Sequence, residues 1–313
     1  MPLALTYVGC REGEAMATKA DAGMRSWARL RRNALIQLAI MAGCVLVWLI
    51  AFRGFIVPAL KTLGPPGSFI GDGMRLMSAL VYAAGALLIY HVLIGWIERR
   101  PTLELSRRPG VELGLAGFAI GMLLFFLAAG VGWLAGWARP IAYGGTTYLI
   151  AVGSASLMAA VGEEVLFRGI LFRIVERAAG TSIALLVSAL FFGLAHLANP
   201  DSTLLSSIVI AIEAGLLLGL AYAVSHNLWF PIGIHFAWNF TEGGIFGASG
   251  SDGPQHGLIQ MAFSGPDWLT GGALGLGGSL IALVLCVGLA FVFALLTRKH
   301  GNWAPTRLRI RLD

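Results

Sequence analysis

Hydrophobic residues run along this chain in long blocks, not at the period of a strand or of an amphipathic surface helix. Eight blocks stand out, at about 34–57, 76–97, 113–137, 148–168, 182–197, 204–224, 228–246 and 273–297. Blocks of this length and purity are read as helices that cross a lipid bilayer. The fourth continues as an amphipathic stretch to about Ala178. Turn-forming clusters punctuate the series at 64–67 (Gly-Pro-Pro-Gly), Gly144-Gly145, Asn199-Pro200 and 247–266. The predicted fold is therefore all-α, a polytopic membrane protein of about eight transmembrane helices. A polar arm covers 1–32, the membrane domain 33–298 and a basic tail 299–313. No interval between the blocks is long enough for a soluble domain.

Composition supports the membrane assignment. Apolar residues make up 57% of the 313, charged residues only 12%, and mean hydropathy is +0.79. Soluble domains carry about 25% charged residues. The net charge of +6 does not point to nucleic acid, because in a membrane protein Lys and Arg gather in the loops of one side. With eight spans and an inside N-terminus, 18 of the 22 basic residues fall inside, and only Arg53, Lys61, Arg75 and Arg139 fall outside. That bias places both termini in the cytoplasm. The expected setting is an integral, multi-pass position in a bacterial cell membrane. Cys10, Cys44 and Cys286 are far apart, which argues against a disulfide framework or a cysteine zinc site.

Polar groups inside the blocks carry the chemistry, since an ionisable residue at membrane depth is costly and marks a functional site by default. The fourth block ends in Gly-Glu-Glu-Val-Leu-Phe-Arg, residues 162–168. On a helix Glu164 and Arg168 are i,i+4 neighbours and can pair as ions, while Glu163 points about 100° away. The fifth block contains Phe192 and His196 as F-x-x-x-H, and the seventh His235 and Asn239 as H-x-x-x-N. Each pair shares one helix face. Counted at ~1.5 Å per residue from the turn near Gly180, Glu163 and His196 reach one level, about 25 Å along their helices. By the same count Asn239 lies somewhat shallower.

E-E-x-x-x-R, F-x-x-x-H and H-x-x-x-N in three successive motif-bearing helices resemble the CPBP family. That family joins type II CAAX prenyl endopeptidases to bacteriocin-processing and self-immunity proteins. The resemblance covers about residues 147–245. It implies an eight-helix intramembrane endopeptidase that cleaves a membrane-associated protein or peptide. Glu163 would be the base that activates water, assisted by His196. His235 and Asn239 would stabilise the oxyanion. Glu164 and Arg168 would brace the site, with Phe192 packed beside them. A carboxylate drawn out of water becomes a better proton acceptor, and donors aimed at an oxyanion gain strength where water is scarce. Glu163, His196 and His235 also offer three ligands for Zn²⁺, with water as the fourth. Against that, H-E-x-x-H is absent, so nothing local fixes a tripod. Both possibilities stay open, and the metal-free site leads.

Two other functions compete. The polar cluster could be a structural network in a non-catalytic membrane protein that serves immunity, regulation or partner binding. It could also relay protons in a transporter, but the internal repeats expected of one are not seen. Glu213, amid the sixth block, reads as a structural acid that is either partnered or protonated. Glu242, seven residues after His235, either tunes the site or lies at the outer interface. His91 and His226 read as structural or interfacial. Trp96, Trp133, Trp137, Trp229 and Trp268 read as an aromatic belt at span ends, and Trp48 as packing.

Overall fold

The structure is a computed structural model that describes residues 33–62, 64–199, 202–247, 257–272 and 275–306. The arm at 1–32 and the end of the basic tail, 307–313, lie outside the described residues. Each predicted block becomes a helix: α1 (Ala34–Ala59), α2 (Phe69–Glu98), α3 (Arg107–Leu134), α4 (Leu149–Ala179), α5 (Thr181–His196), α6 (Leu204–Ser225), α7 (Trp229–Phe240) and α8 (Leu280–Lys299). Among the described residues, six of these, all but α5 and α7, are long and apolar enough to cross a membrane. The protein is an all-α polytopic membrane protein. Its outward side chains are apolar, as a lipid-facing surface requires: Leu35, Phe55, Phe69 and Leu134 are all exposed.

Local chemistry sets where helices begin. Asn33 Oδ1 accepts from the Leu35 and Ile36 amides at 3.0 and 3.3 Å, Ser68 Oγ from Gly71 N at 3.1 Å, and Ser279 Oγ from Ala282 N at 3.2 Å. These caps meet amides that a helix leaves without partners. They also explain two shifts from expectation. α2 begins at Phe69, earlier than its apolar block, because Ser68 caps it and Asp72 and Arg75 ride its polar first turns. α8 begins later than expected, where Ser279 provides the cap. His226, with φ of +49°, ends α6, and its ring stacks on Tyr222 at 5.9 Å. Asn227 then accepts from Trp229 N at 3.0 Å to open α7.

Small residues bring α3 and α7 together. A Cβ on Gly117 would stand 2.3 Å from the Phe230 carbonyl oxygen, and one on Gly121 2.4 Å from that of Ile234. Only glycine permits this approach, the usual device for helix contact inside lipid. It seats α7, and with it His235 and Asn239, firmly in the bundle.

Three features had no signal in the hydrophobic pattern. First, the loops before α4 and after α7 pair as an antiparallel ribbon, β1 (Ala138–Tyr143) with β2 (Ile259–Phe263). The ribbon covers a second small core of Phe125, Trp137, Phe246, Met261 and Leu276. Trp137 is thus buried there, and Trp229 packs partly buried against the main core, while Trp96, Trp133 and Trp268 are exposed as a belt requires. Second, π turns interrupt the helices at Val165–Phe172 in α4 and Ala211–Leu216 in α6, and a further one, Thr241–Ile245, prolongs α7. Such turns recur at functional sites. Third, the helix ends that carry the basic loops hold an ion network. Glu98 accepts from Arg100, Arg173 and Arg177 at 2.7–3.2 Å, and Glu104 accepts from both terminal nitrogens of Arg100 at 2.5 and 3.1 Å. Burial works against the charge on Arg100, yet its hydrogen bonds to Glu104 and Glu98 outweigh that and hold its pKa above the ordinary value.

Candidate active site

The site grows from the end of the α-helical part of α4. Gly162 allows the close approach of α2, since a Cβ there would meet the Tyr82 hydroxyl at 2.7 Å. Glu163 and Glu164 follow, and the π turn starts at the next residue. The two glutamates diverge as helix geometry requires. Glu164 is fully buried, and its Oε1 accepts from Arg168 Nη1 at 2.9 Å. The i,i+4 pair therefore forms, even with the π turn between its members. Arg168 is fully buried as well. Its Nη2 donates to the carbonyls of Ala214 and Gly215 in α6, at 3.0 and 3.1 Å. Its guanidinium lies 4.5 Å over the Phe192 ring, a cation–π contact. Phe192 thus packs on the ion pair.

Glu163 turns instead toward a cavity of about 190 Å³, which it lines together with Phe192, His196, His235 and Asn239. The fold brings these five motif residues to one space, including Asn239, for which the residue count had left a gap in depth. Glu163 keeps a side-chain exposure of 24%. Its Oε2 is buried with no hydrogen-bond partner among the described residues.

The two histidines are oriented by different partners. His196 Nδ1 lies 2.8 Å from the Phe192 carbonyl oxygen one turn back, and its ring packs 4.8 Å from that of Phe192. A carbonyl only accepts, so Nδ1 carries the proton, and Nε2 of the neutral ring is left as an acceptor. His235 Nδ1 lies 2.9 Å from Glu164 Oε1, which makes it a donor to the carboxylate. Its Nε2 stands 3.9 Å from Glu163 Oε2. His235 is therefore the link between the two glutamates. Nothing in the spacing of residues 164 and 235 foretold that bond, which depends on how α7 docks.

The cavity extends past these motif residues to α6 and α8, where Glu213, Glu242, Gly277 and Cys286 line it. Glu242 faces the site and not the outer interface. Glu213, expected to be a partnered or protonated acid, has an Oε1 that is buried and unpaired among the described residues. His91 bonds Thr102 at 3.0 Å, and His226 lies at the end of α6; neither lines the cavity. Trp48 donates to the Tyr82 carbonyl at 3.1 Å, a packing role.

Glu163, His196 and His235 do not make a ready metal cradle. Among the described residues, no three His, Cys, Asp or Glu side chains are grouped closely enough to hold a metal ion.

No curated protein and no solved structure matches the chain. A family model does, that of the type II CAAX prenyl endopeptidase Rce1-like proteins, over residues 145–241. The matched stretch is just under a third of the 313 residues and holds Glu163, Glu164, Arg168, Phe192, His196, His235 and Asn239. Over that stretch the chain is similar to the Rce1-like type II CAAX prenyl endopeptidase domain.

Proposed function

We propose that the protein hydrolyses a peptide bond of a membrane-associated protein or peptide, with Glu163 as the base. The observation that carries this reading is the division of labour between adjacent glutamates. Glu164 is fully buried, with Oε1 held by both Arg168 and His235, whereas Glu163 lines the cavity and its Oε2 has no partner among the described residues. In this reading Glu163 takes a proton from water, and the resulting hydroxide adds to the substrate carbonyl carbon. His196, with Nε2 open as an acceptor, helps orient that water. Asn239 Nδ2 donates to the oxyanion as it develops, and so does His235 Nε2, which in this reading carries a proton in addition to the one Nδ1 shares with Glu164, making the ring an imidazolium beside two carboxylates. When the tetrahedral adduct collapses, the C–N bond breaks, and Glu163 returns its proton to the leaving nitrogen. Glu164 and Arg168 position His235 and do not touch the reacting atoms. No step is routed through a metal, because the donor groups are not gathered to hold one.

The test uses the full chain in proteoliposomes with a farnesylated, internally quenched CAAX-type peptide. Wild-type cleavage that is lost in Glu163→Gln, with the variant monodisperse and its unfolding temperature unchanged, is the expected result. Full cleavage by Glu163→Gln overturns the assignment. A well-folded wild type that cleaves no such peptide, prenylated or not, favours the non-catalytic role.

A further inference from the structure

The cavity has a second acidic end that the proposed hydrolysis does not use. Glu213 on α6 and Glu242 on the π turn of α7 both line it. The two acids are served unequally. Glu242 Oε1 accepts from Gly277 N at 2.9 Å, and the Trp238 indole donates to the same carboxylate. Glu213 is only 6% exposed, and its Oε1 has no donor among the described residues. A buried carboxylate oxygen left unpaired is costly in lipid, so a donor brought by a ligand is strongly favoured there. Among the described residues, the cavity lining contains no Lys or Arg to supply that donor from within. Its walls beside the acids are apolar, formed by Ile210, Leu217 and Ile234.

An apolar sleeve that ends in two carboxylates suits one kind of group: a cation on a hydrocarbon stem. The methylenes would lie along Ile210 and Leu217, the charged head would donate to Glu213 and Glu242, and the Trp238 ring would offer a face for cation–π contact. Access fits as well. Asn239 and Glu242 also border an opening between α4 and α7 lined by Ala151 and Ala155. A chain lying in that opening has Asn239 beside its backbone and can send a side chain past Glu242 toward Glu213. Resting on the peptidase reading above, we propose that the Glu213–Glu242 end of the cavity is a specificity subsite that receives a Lys or Arg side chain of the substrate close to the cleaved bond.

The test measures binding, so it does not depend on turnover. Fluorescent farnesylated peptides are made identical except for one residue, Lys or norleucine, placed in turn at each position flanking the central bond. They are titrated against Glu163→Gln protein in nanodiscs. At one position Lys should bind at least about tenfold more tightly than norleucine, as a charge-assisted pair in a dry site allows. Adding Glu213→Gln, or in a separate protein Glu242→Gln, should bring that ratio close to one, while Glu213→Asp keeps part of it. The proposal fails if no position prefers Lys, if the preference survives both Gln variants, or if no peptide binds. The two readings separate cleanly. Cleavage without a Lys preference removes the subsite alone, and a Lys preference without wild-type cleavage removes the peptidase alone.

Discussion

The molecule buries carboxylates beside arginines in two places, and they finish differently. At the basic end, all four carboxylate oxygens of Glu98 and Glu104 receive a guanidinium donor. Gln37 joins through Arg177, which ties α1 to α4. In and beside the cavity, Glu163 Oε2, Glu164 Oε2 and Glu213 Oε1 have no partner among the described residues. An unmet buried polar atom costs about 1–3 kcal/mol, and the fold tolerates three of them around one space. A saturated network has no capacity left for a substrate, and an unsaturated one does. Charge inside the membrane is therefore a weaker sign of function than charge left partly unpaired.

That contrast can be broken in graded steps. The largest effect belongs to Glu163→Gln, which should lower peptide cleavage by at least about 10³-fold with little change in unfolding temperature, read by fluorescence-monitored melting in detergent. Retained cleavage would mean that the unpaired oxygen is not the base. Next is Arg168→Met. It strands Glu164 without its cation in a dry site and should cost about 3–5 kcal/mol of stability. Adding Glu164→Gln should recover part of that loss; if it does not, the pair is not what the guanidinium holds. Asn239→Ala should lower kcat about 10²-fold with KM nearly unchanged, the signature of an interaction made only in the transition state. A rise in KM alone would make Asn239 a substrate-binding group. The smallest effect on catalysis should come from Glu98→Gln. It should destabilise the fold by about 1–3 kcal/mol and leave kcat unaltered, since its partners lie at the loop end and none lines the cavity. A kcat defect there would show that the two networks are coupled.

Much of the site was legible because its parts are helical pairs. Glu164 with Arg168 was readable as a contact from i,i+4 spacing alone, as was the placing of Phe192 and His196, or His235 and Asn239, on shared faces. The partners across helices were not legible. His235 bonds Glu164, and Arg168 reaches the Ala214 and Gly215 carbonyls. Those bonds depend on the depth and rotation of α6 and α7. For Glu213 the chain alone left a partnered and a protonated acid open, since a partner for a buried acid comes from a neighbouring helix and its position in the chain does not reveal one.

The sequence by itself determined the helical blocks, the membrane as their solvent and the motif residues that face inward. These follow from local rules: in lipid, each segment must satisfy its own backbone hydrogen bonds and present apolar side chains. Only the tertiary structure decided which glutamate is held by Arg168 and His235 and which lines the cavity, that two distant loops close as a ribbon over Trp137, and that π turns lie beside Glu164 and around Glu213 and Glu242. Each of these is a long-range outcome. It depends on the glycine-thin contact between α3 and α7 and on how far one helix slides along another, and a pattern of hydrophobic and polar positions does not encode that distance.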